Sequence, residues 1–132
     1  MDTNRSMPPG VIIPELPYDE VSTAATWLCQ TFGFKERLRI GDHRFQLSFG
    51  EGSVVVIQRK EPGVSSILVH VDNVDSHYER AIQSGVRIIS PPTNYPYGER
   101  QYTAEDFGGH RWTFSETIAD VDPKSWGGEL FE

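Results

Sequence analysis

Glu15 and His70 are the side chains in this chain best suited to moving a proton. A carboxylate and an imidazole, each on a predicted strand, could serve as an acid–base pair. Other readings stand beside that one. Glu15 could meet a cationic group of a ligand, or sit in water at a strand end, and His70 could be a satisfied core residue. Arg111 could anchor a ligand carboxylate through its planar fork, or close an internal salt bridge. His43 follows the Gly41-Asp42 turn, His77 lies on a helical stripe, and His110 starts a strand after Gly108-Gly109. Each of these three reads as structural or solvated. Together with His70 and Glu15 they could compose an unusual metal site, but no spacing in the chain demands one. Cys29 is the only cysteine. Within a helical stripe it reads as a small buried hydrophobe rather than a reactive thiol.

Several chemistries find no support. There is no GxGxxG, no GxxxxGK, no CxxC pair and no serine elbow, so cofactor-dependent redox and phosphoryl transfer have no motif to rest on. Among the aromatics, Trp112 should pack under a helix and Trp27 flanks a helical stripe. Trp126, in the tail, could cap a pocket by stacking on an aromatic or cationic ligand, or be a packing anchor. Tyr95, Tyr97 and Tyr102 fall in or beside a Pro-rich stretch, Pro91–Arg100, that is long enough for a lid or specificity loop.

The elements that must position these groups come from periodicity. Val11 to Ile13, running into Pro14-Glu15-Leu16-Pro17, reads as a first strand. Val21, Ala24, Ala25, Leu28 and Phe32 fall at helical spacing, started by Asp19-Glu20 and stopped by Gly33. Leu38–Ile40, Phe45–Phe49 and Val54–Ile57 read as three strands divided by glycine turns. After Pro62-Gly63 the pattern restarts, with a strand over Ile67–Val71 and a helical stripe of Val74, His77, Tyr78, Ala81 and Ile82. A short strand over Arg87–Ile89, the Pro-rich loop, and strands over Gln101–Ala104 and Arg111–Ser115 follow. Asp19-Glu20-Val21 thus recurs as Asp72-Asn73-Val74 about 53 residues later. The chain is a tandem β-α-β-β-β repeat, an α+β fold in which two half-sheets should bound a cleft.

At 132 residues, this is one domain's worth of chain. We expect a flexible lead over residues 1–10, a single domain over 11–118 with repeats at about 11–60 and 64–116, and a tail over 119–132. No apolar run approaches the roughly 20 residues of a membrane span. Met1 to Gly10 lacks the apolar centre of a signal peptide, which points to the cytoplasm. The formal charge of −7 repels nucleic acid and anionic membranes and favours cationic small molecules.

The ordered set Tyr18-Asp19-Glu20-Val21, Trp27-Leu28, Phe32-Gly33-Phe34, Val71-Asp72-Asn73-Val74-Asp75, Gly98-Glu99-Arg100-Gln101-Tyr102 and Asp106-Phe107-Gly108-Gly109-His110 resembles the vicinal oxygen chelate superfamily. That group includes glyoxalase I, extradiol dioxygenases and bleomycin-resistance proteins. The resemblance spans about residues 11–116 and implies a U-shaped mixed-sheet cleft. Its metal-dependent members place ligands on the first and fourth strands of each repeat. Carried onto this chain, those positions are Ile13, Val56, Ser66 and Thr113, none of them His or Glu. The resemblance therefore implies no metal and no cofactor.

Strand alternation extends that inward set. Glu15 joins Ile13, Gln58 joins Val56, Leu68 and His70 join Ser66, and Arg111 and Ser115 join Thr113. Tyr102 and Trp126 complete the expected ligand-binding cleft, mostly apolar with a few polar groups. The implied function is a metal-independent small-molecule binding protein, antibiotic-sequestering in type, without nucleic-acid or membrane partners and forming a homodimer. The alternative is a superfamily lyase, isomerase or dioxygenase with displaced metal ligands, or metal-free acid–base catalysis by Glu15 and His70.

Overall fold

The computed structural model describes residues 4–130; positions 1–3 of the expected lead and 131–132 of the expected tail lie outside them. The chain divides into two compact units, Met1–Ser65 and Ser66–Glu132, one for each repeat. Each unit carries one four-stranded mixed sheet and one α-helix.

In the first unit the order is β1 (Glu15–Tyr18), α1 (Val21–Phe32), β2 (Lys35–Ile40), β3 (Arg44–Phe49) and β4 (Gly52–Gln58), with the sheet ordered β1-β4-β3-β2. The apolar stripe of α1 is buried as its spacing predicts, and the helix ends on Gly33, whose φ of 88° is the left-handed cap that glycine adopts freely. Antiparallel pairing sets Phe45 opposite Val56 and Leu47 opposite Val54, while Leu16 lies beside Val56 across the parallel β1–β4 pair. These residues are all buried and pack beneath α1. The helix-free face therefore carries Glu15, Pro17, Arg44, Gln46, Val55 and Ile57.

Three expectations change here. The first strand begins at Glu15, not Val11, and Val11 and Ile12 are exposed. Pairing starts where the Pro14 carbonyl accepts from the Val55 amide (2.9 Å), so Ile13 precedes the strand. Prolines at 14 and 17 are tolerated because β1 is an edge strand. The lead is also fastened from residue 5 onward. Gln46 Nε2 donates to the Ser6 carbonyl (2.8 Å), and Arg37 Nη2 donates to that of Arg5 (2.9 Å). Arg37, the bulge residue between Glu36 and Leu38, also donates to Gln46 Oε1 (2.5 Å). Finally, Val56 faces the helix rather than the helix-free face. A continuous Val54-Val55-Val56-Ile57 run does not announce its own register, which Phe45 sets instead.

The second unit repeats the plan with β5 (Ser66–His70), α2 (Val74–Gln83), β6 (Arg87–Tyr95), β7 (Glu99–Glu105) and β8 (Arg111–Thr117), ordered β5-β8-β7-β6. Asn73 caps α2 by accepting from the Ser76 amide (3.0 Å). Trp112, Phe114, Tyr102 and Ala104 are fully buried on the helix side. The expected loop after Ile89 is instead strand. β6 runs through Pro91-Pro92 to Tyr95, as an outermost strand with irregular pairing between Ile88 and Thr93 permits. Only the turn at Gly98 remains of the proposed lid.

Asp106 pins the turn between β7 and β8. Its Oδ1 accepts from the amides of Gly108 (2.9 Å) and His110 (3.0 Å), and its Oδ2 from Trp112 Nε1 (2.9 Å). The carboxylate is buried, and this turn sets the β7–β8 register. Residue 98 is a second tight point. The Gly98 carbonyl accepts from the Ile118 and Ala119 amides, and a Cβ there would collide with the Ala119 carbonyl oxygen. Beyond it, the tail forms a 3-10 turn over Pro123–Trp126.

Asp106→Ala removes an acceptor shared by a buried amide, a part-buried amide and a buried indole N–H and should destabilise the protein by about 3 kcal/mol in urea unfolding. Asp106→Asn should cost less, because its amide oxygen can keep the two backbone bonds while losing that of Trp112.

Candidate functional site

The helix-free face of the second unit gathers most of the expected site. The β5–β8 register places Ser66 beside Arg111, Leu68 beside Thr113 and His70 beside Ser115. The β7–β8 register adds Glu99, Gln101, Thr103 and Glu105 to the same face. A cavity of about 510 Å³ lies there, lined by Ser66, Ile67, Leu68, Tyr97, Gln101, Thr113 and Trp126. Its apolar surface is unusually open to solvent: Leu68 is 67% exposed and Trp126 46%. The 3-10 turn of the tail holds Trp126 edge-on to Tyr97, with ring centroids 5.6 Å apart, and Tyr97 stacks on Tyr95 at 5.5 Å.

The polar groups of this face bond to one another. Ser115 Oγ donates to Glu99 Oε1 (2.6 Å), Gln101 Nε2 donates to Ser115 Oγ (3.0 Å), and the Tyr97 hydroxyl donates to Gln101 Oε1 (3.0 Å). Thr103 and Thr113 share a hydroxyl–hydroxyl bond of 2.8 Å. The bond from Ser115, then that from Thr117, with His70 nearby, holds the Glu99 carboxyl below its ordinary range against the opposing effect of desolvation. Arg111 forms an ion pair with Glu105 (3.7 Å), the internal bridge that sequence left open.

Tyr102 does not belong to this face. It pairs with Phe114, lies beneath α2, and its hydroxyl meets His77 Nδ1 at 2.5 Å. Burial, then Tyr78, push its phenol well above the tyrosine range. Glu99 and Gln101 were missed in the sequence, although Glu99, Gln101 and Thr103 alternate with Tyr102 and Ala104 and so mark a polar face. Among the other histidines, His77 packs at a tilt against Phe114 (ring centroids 4.0 Å apart) and His110 is fully buried, so both are structural. Burial of Cys29 raises its thiol pKa, which suits a packing role.

In the first unit, Glu15 and Gln58 border a separate basin of about 640 Å³ with Arg44 and His43. Arg44 Nη2 donates to Glu15 Oε2 (2.6 Å), and Gln58 Nε2 donates to the Asp19 carbonyl (2.8 Å). Ile13 and Val56 do not line it. Glu15 and His70, the expected acid–base pair, thus belong to different units.

The donor set does not fit a divalent metal. On the helix-free faces, the first and last strands offer Glu15 and Pro17 with Val55 and Ile57, and Leu68 and His70 with Thr113 and Ser115. On these strands each face offers a single ligating side chain, Glu15 in the first unit and His70 in the second, fewer than the about three or four protein donors such a site uses. The aliphatic side chains and neutral hydroxyls beside them do not displace the ion's water shell. Among the described residues no three His, Cys, Asp or Glu side chains converge on one point.

Comparison with known proteins follows the same outline. The model of the Glyoxalase/Bleomycin resistance protein/Dioxygenase superfamily matches residues 12–114. A search of curated proteins found no match. The chain is similar to TioX from Micromonospora sp. ML1, with 32% identity and a TM-score of 0.76 over 83% of this chain and 99% of that one. It also resembles TnmS3, an antibiotic binding protein from Streptomyces sp. CB03234, at 23% identity and a TM-score of 0.71, covering 89% and 98% of the two chains. Lactoylglutathione lyase from Agrobacterium tumefaciens aligns at 16% identity and a TM-score of 0.69, covering 92% and 98%. At those last two identities the likeness concerns the fold alone.

Two outcomes test the geometry. Tyr102→Phe should cost about 1 kcal/mol in chemical unfolding through loss of its bond to His77. Because the Glu99 carboxyl is depressed, its contribution to stability is complete above the ordinary glutamate range and is lost as pH falls through its lower folded value. Melting temperature measured against pH should therefore drop less steeply at the acid end for Glu99→Gln than for the wild type.

Proposed function

The chain belongs to the Glyoxalase/Bleomycin resistance protein/Dioxygenase superfamily, and from that premise we propose that it is a small-molecule binding protein of the antibiotic-sequestering type. The observation that carries this reading is the cavity on the helix-free face of the second unit. It combines exposed Leu68 and the Trp126–Tyr97 corner with hydroxyls and amides already satisfied by one another. Tyr97, Gln101 and Thr113 can be covered with their polar atoms already bonded, so an aromatic ligand gains apolar and stacking contact at little polar cost. TnmS3, similar in fold, is an antibiotic binding protein, which supports the same reading.

We propose that binding needs no metal, since the first and last strands of each face offer only one ligating side chain, Glu15 in the first unit and His70 in the second. The protein would act in the cytoplasm as a homodimer, the second copy covering apolar surface such as Leu68 that a single chain leaves exposed. No helix of the described residues is long and apolar enough to cross a membrane.

The test is a thermal-shift screen of aromatic antibiotics and bleomycin, followed by titration of tryptophan fluorescence. A hit present at about 100 times its Kd should raise stability by about 2.7 kcal/mol. Trp126 should be the quenched indole, because it lines the cavity, whereas Trp112 is buried and Trp27 sits on α1 of the first unit. Trp126→Ala should weaken binding about tenfold, in line with loss of one stacking contact. A full screen without a stabilising compound would contradict the reading.

A further inference from the structure

The basin in the first unit is chemically unlike the cavity described above, and its charged groups are not used up. Arg44 and Glu15 form an ion pair along one wall through one nitrogen and one oxygen, Nη2 and Oε2. Among the described residues, Arg44 Nε and Nη1 and Glu15 Oε1 make no other hydrogen bond. Lys60 and Glu61 line the same basin, neither has an ion-pair partner among the described residues, and His43 adds an imidazole. Pro17 and Ile57 supply apolar surface between them. The side chains of Arg44 and Glu15 are 38% and 51% exposed, so both can be reached from solvent without breaking the fold.

This pattern selects by charge geometry. Arg44 Nη2 keeps a second N–H beyond the one given to Glu15, and with Nε or Nη1 it makes a fork that suits a carboxylate. A simple anion placed there would also meet the negative charge of Glu15, held 2.6 Å from the same guanidinium. An ammonium on the same ligand converts that repulsion into attraction. Like-charge cost against one partner and attraction for another is how specificity arises. We propose that this basin is a second binding site, for zwitterions carrying a carboxylate and an ammonium a few bonds apart. An amino acid or a short peptide with free ends has that chemistry. The carboxylate would sit on Arg44 with Lys60 behind it, the ammonium on Glu15 Oε1, and the side chain on Pro17 and Ile57. This site does not depend on the function proposed above.

The experiment is an NMR titration of the ¹⁵N-labelled full chain with L-alanyl-L-alanine, beside its N-acetylated and its C-amidated forms. Saturable shifts at the amides of His43, Arg44 and Ile57 are expected by about 50 mM, since exposed charges bind weakly. Each blocked form should bind about tenfold more weakly, having lost one charge-assisted contact. Arg44→Gln should abolish the advantage of a free carboxylate, and Glu15→Gln that of a free ammonium, with dispersed spectra confirming that both variants fold. No saturable shift, equal binding of all three peptides, or shifts confined to Ser66–Trp126 would each overturn the proposal.

Discussion

The buried Asp106 carboxylate is the contact on which the second unit depends. Three N–H groups converge on it, two from the turn and one from the Trp112 indole, and with them it sets the offset of β8 against β7. In a pleated sheet an offset error of one residue exchanges the two faces. Held as it is, the register sends Trp112 and Phe114 beneath α2 and leaves Arg111, Thr113 and Ser115 on the helix-free side. Phe45 has the corresponding role in the first unit, where its position opposite Val56 commits that strand. The candidate sites are therefore consequences of register before they are consequences of composition.

Two duplicated units have arrived at different surfaces. On the second, polar side chains are bonded in a chain from Tyr97 through Gln101 and Ser115 to Glu99, leaving apolar and aromatic surface to meet a ligand. On the first, the fastened lead takes up Gln46 and Arg37, and the remaining basin keeps charged groups with capacity to spare. The same backbone plan can thus present a dry, stacking surface and a wet, charge-selective one.

Much of this plan was legible in the residues. The helical stripes, the Gly33 stop and the restart after Pro62-Gly63 gave the order of elements, and alternation placed Ser66, Leu68, His70, Arg111, Thr113 and Ser115 on one face. Alternation failed where it had nothing to read. Val54 to Ile57 is apolar throughout, so only its cross-strand partner reveals which side Val56 takes. Pro91-Pro92 suggested a loop because proline removes a ladder donor, a loss that an outermost strand such as β6 can accept. Tyr102 resembled a ligand contact by type, yet its partner Phe114 commits it to the core. Ile13 resembled a strand residue, yet the β1–β4 ladder begins two positions later.

The central claim is that this protein binds an aromatic small molecule on the second unit's helix-free face without help from a metal. Its most direct test is a calorimetric titration of the best-stabilising antibiotic from the screen, made with and without excess chelator. The account predicts the same affinity and a one-to-one ratio per chain in both. Binding that disappears with chelator and returns with an added divalent ion would contradict it.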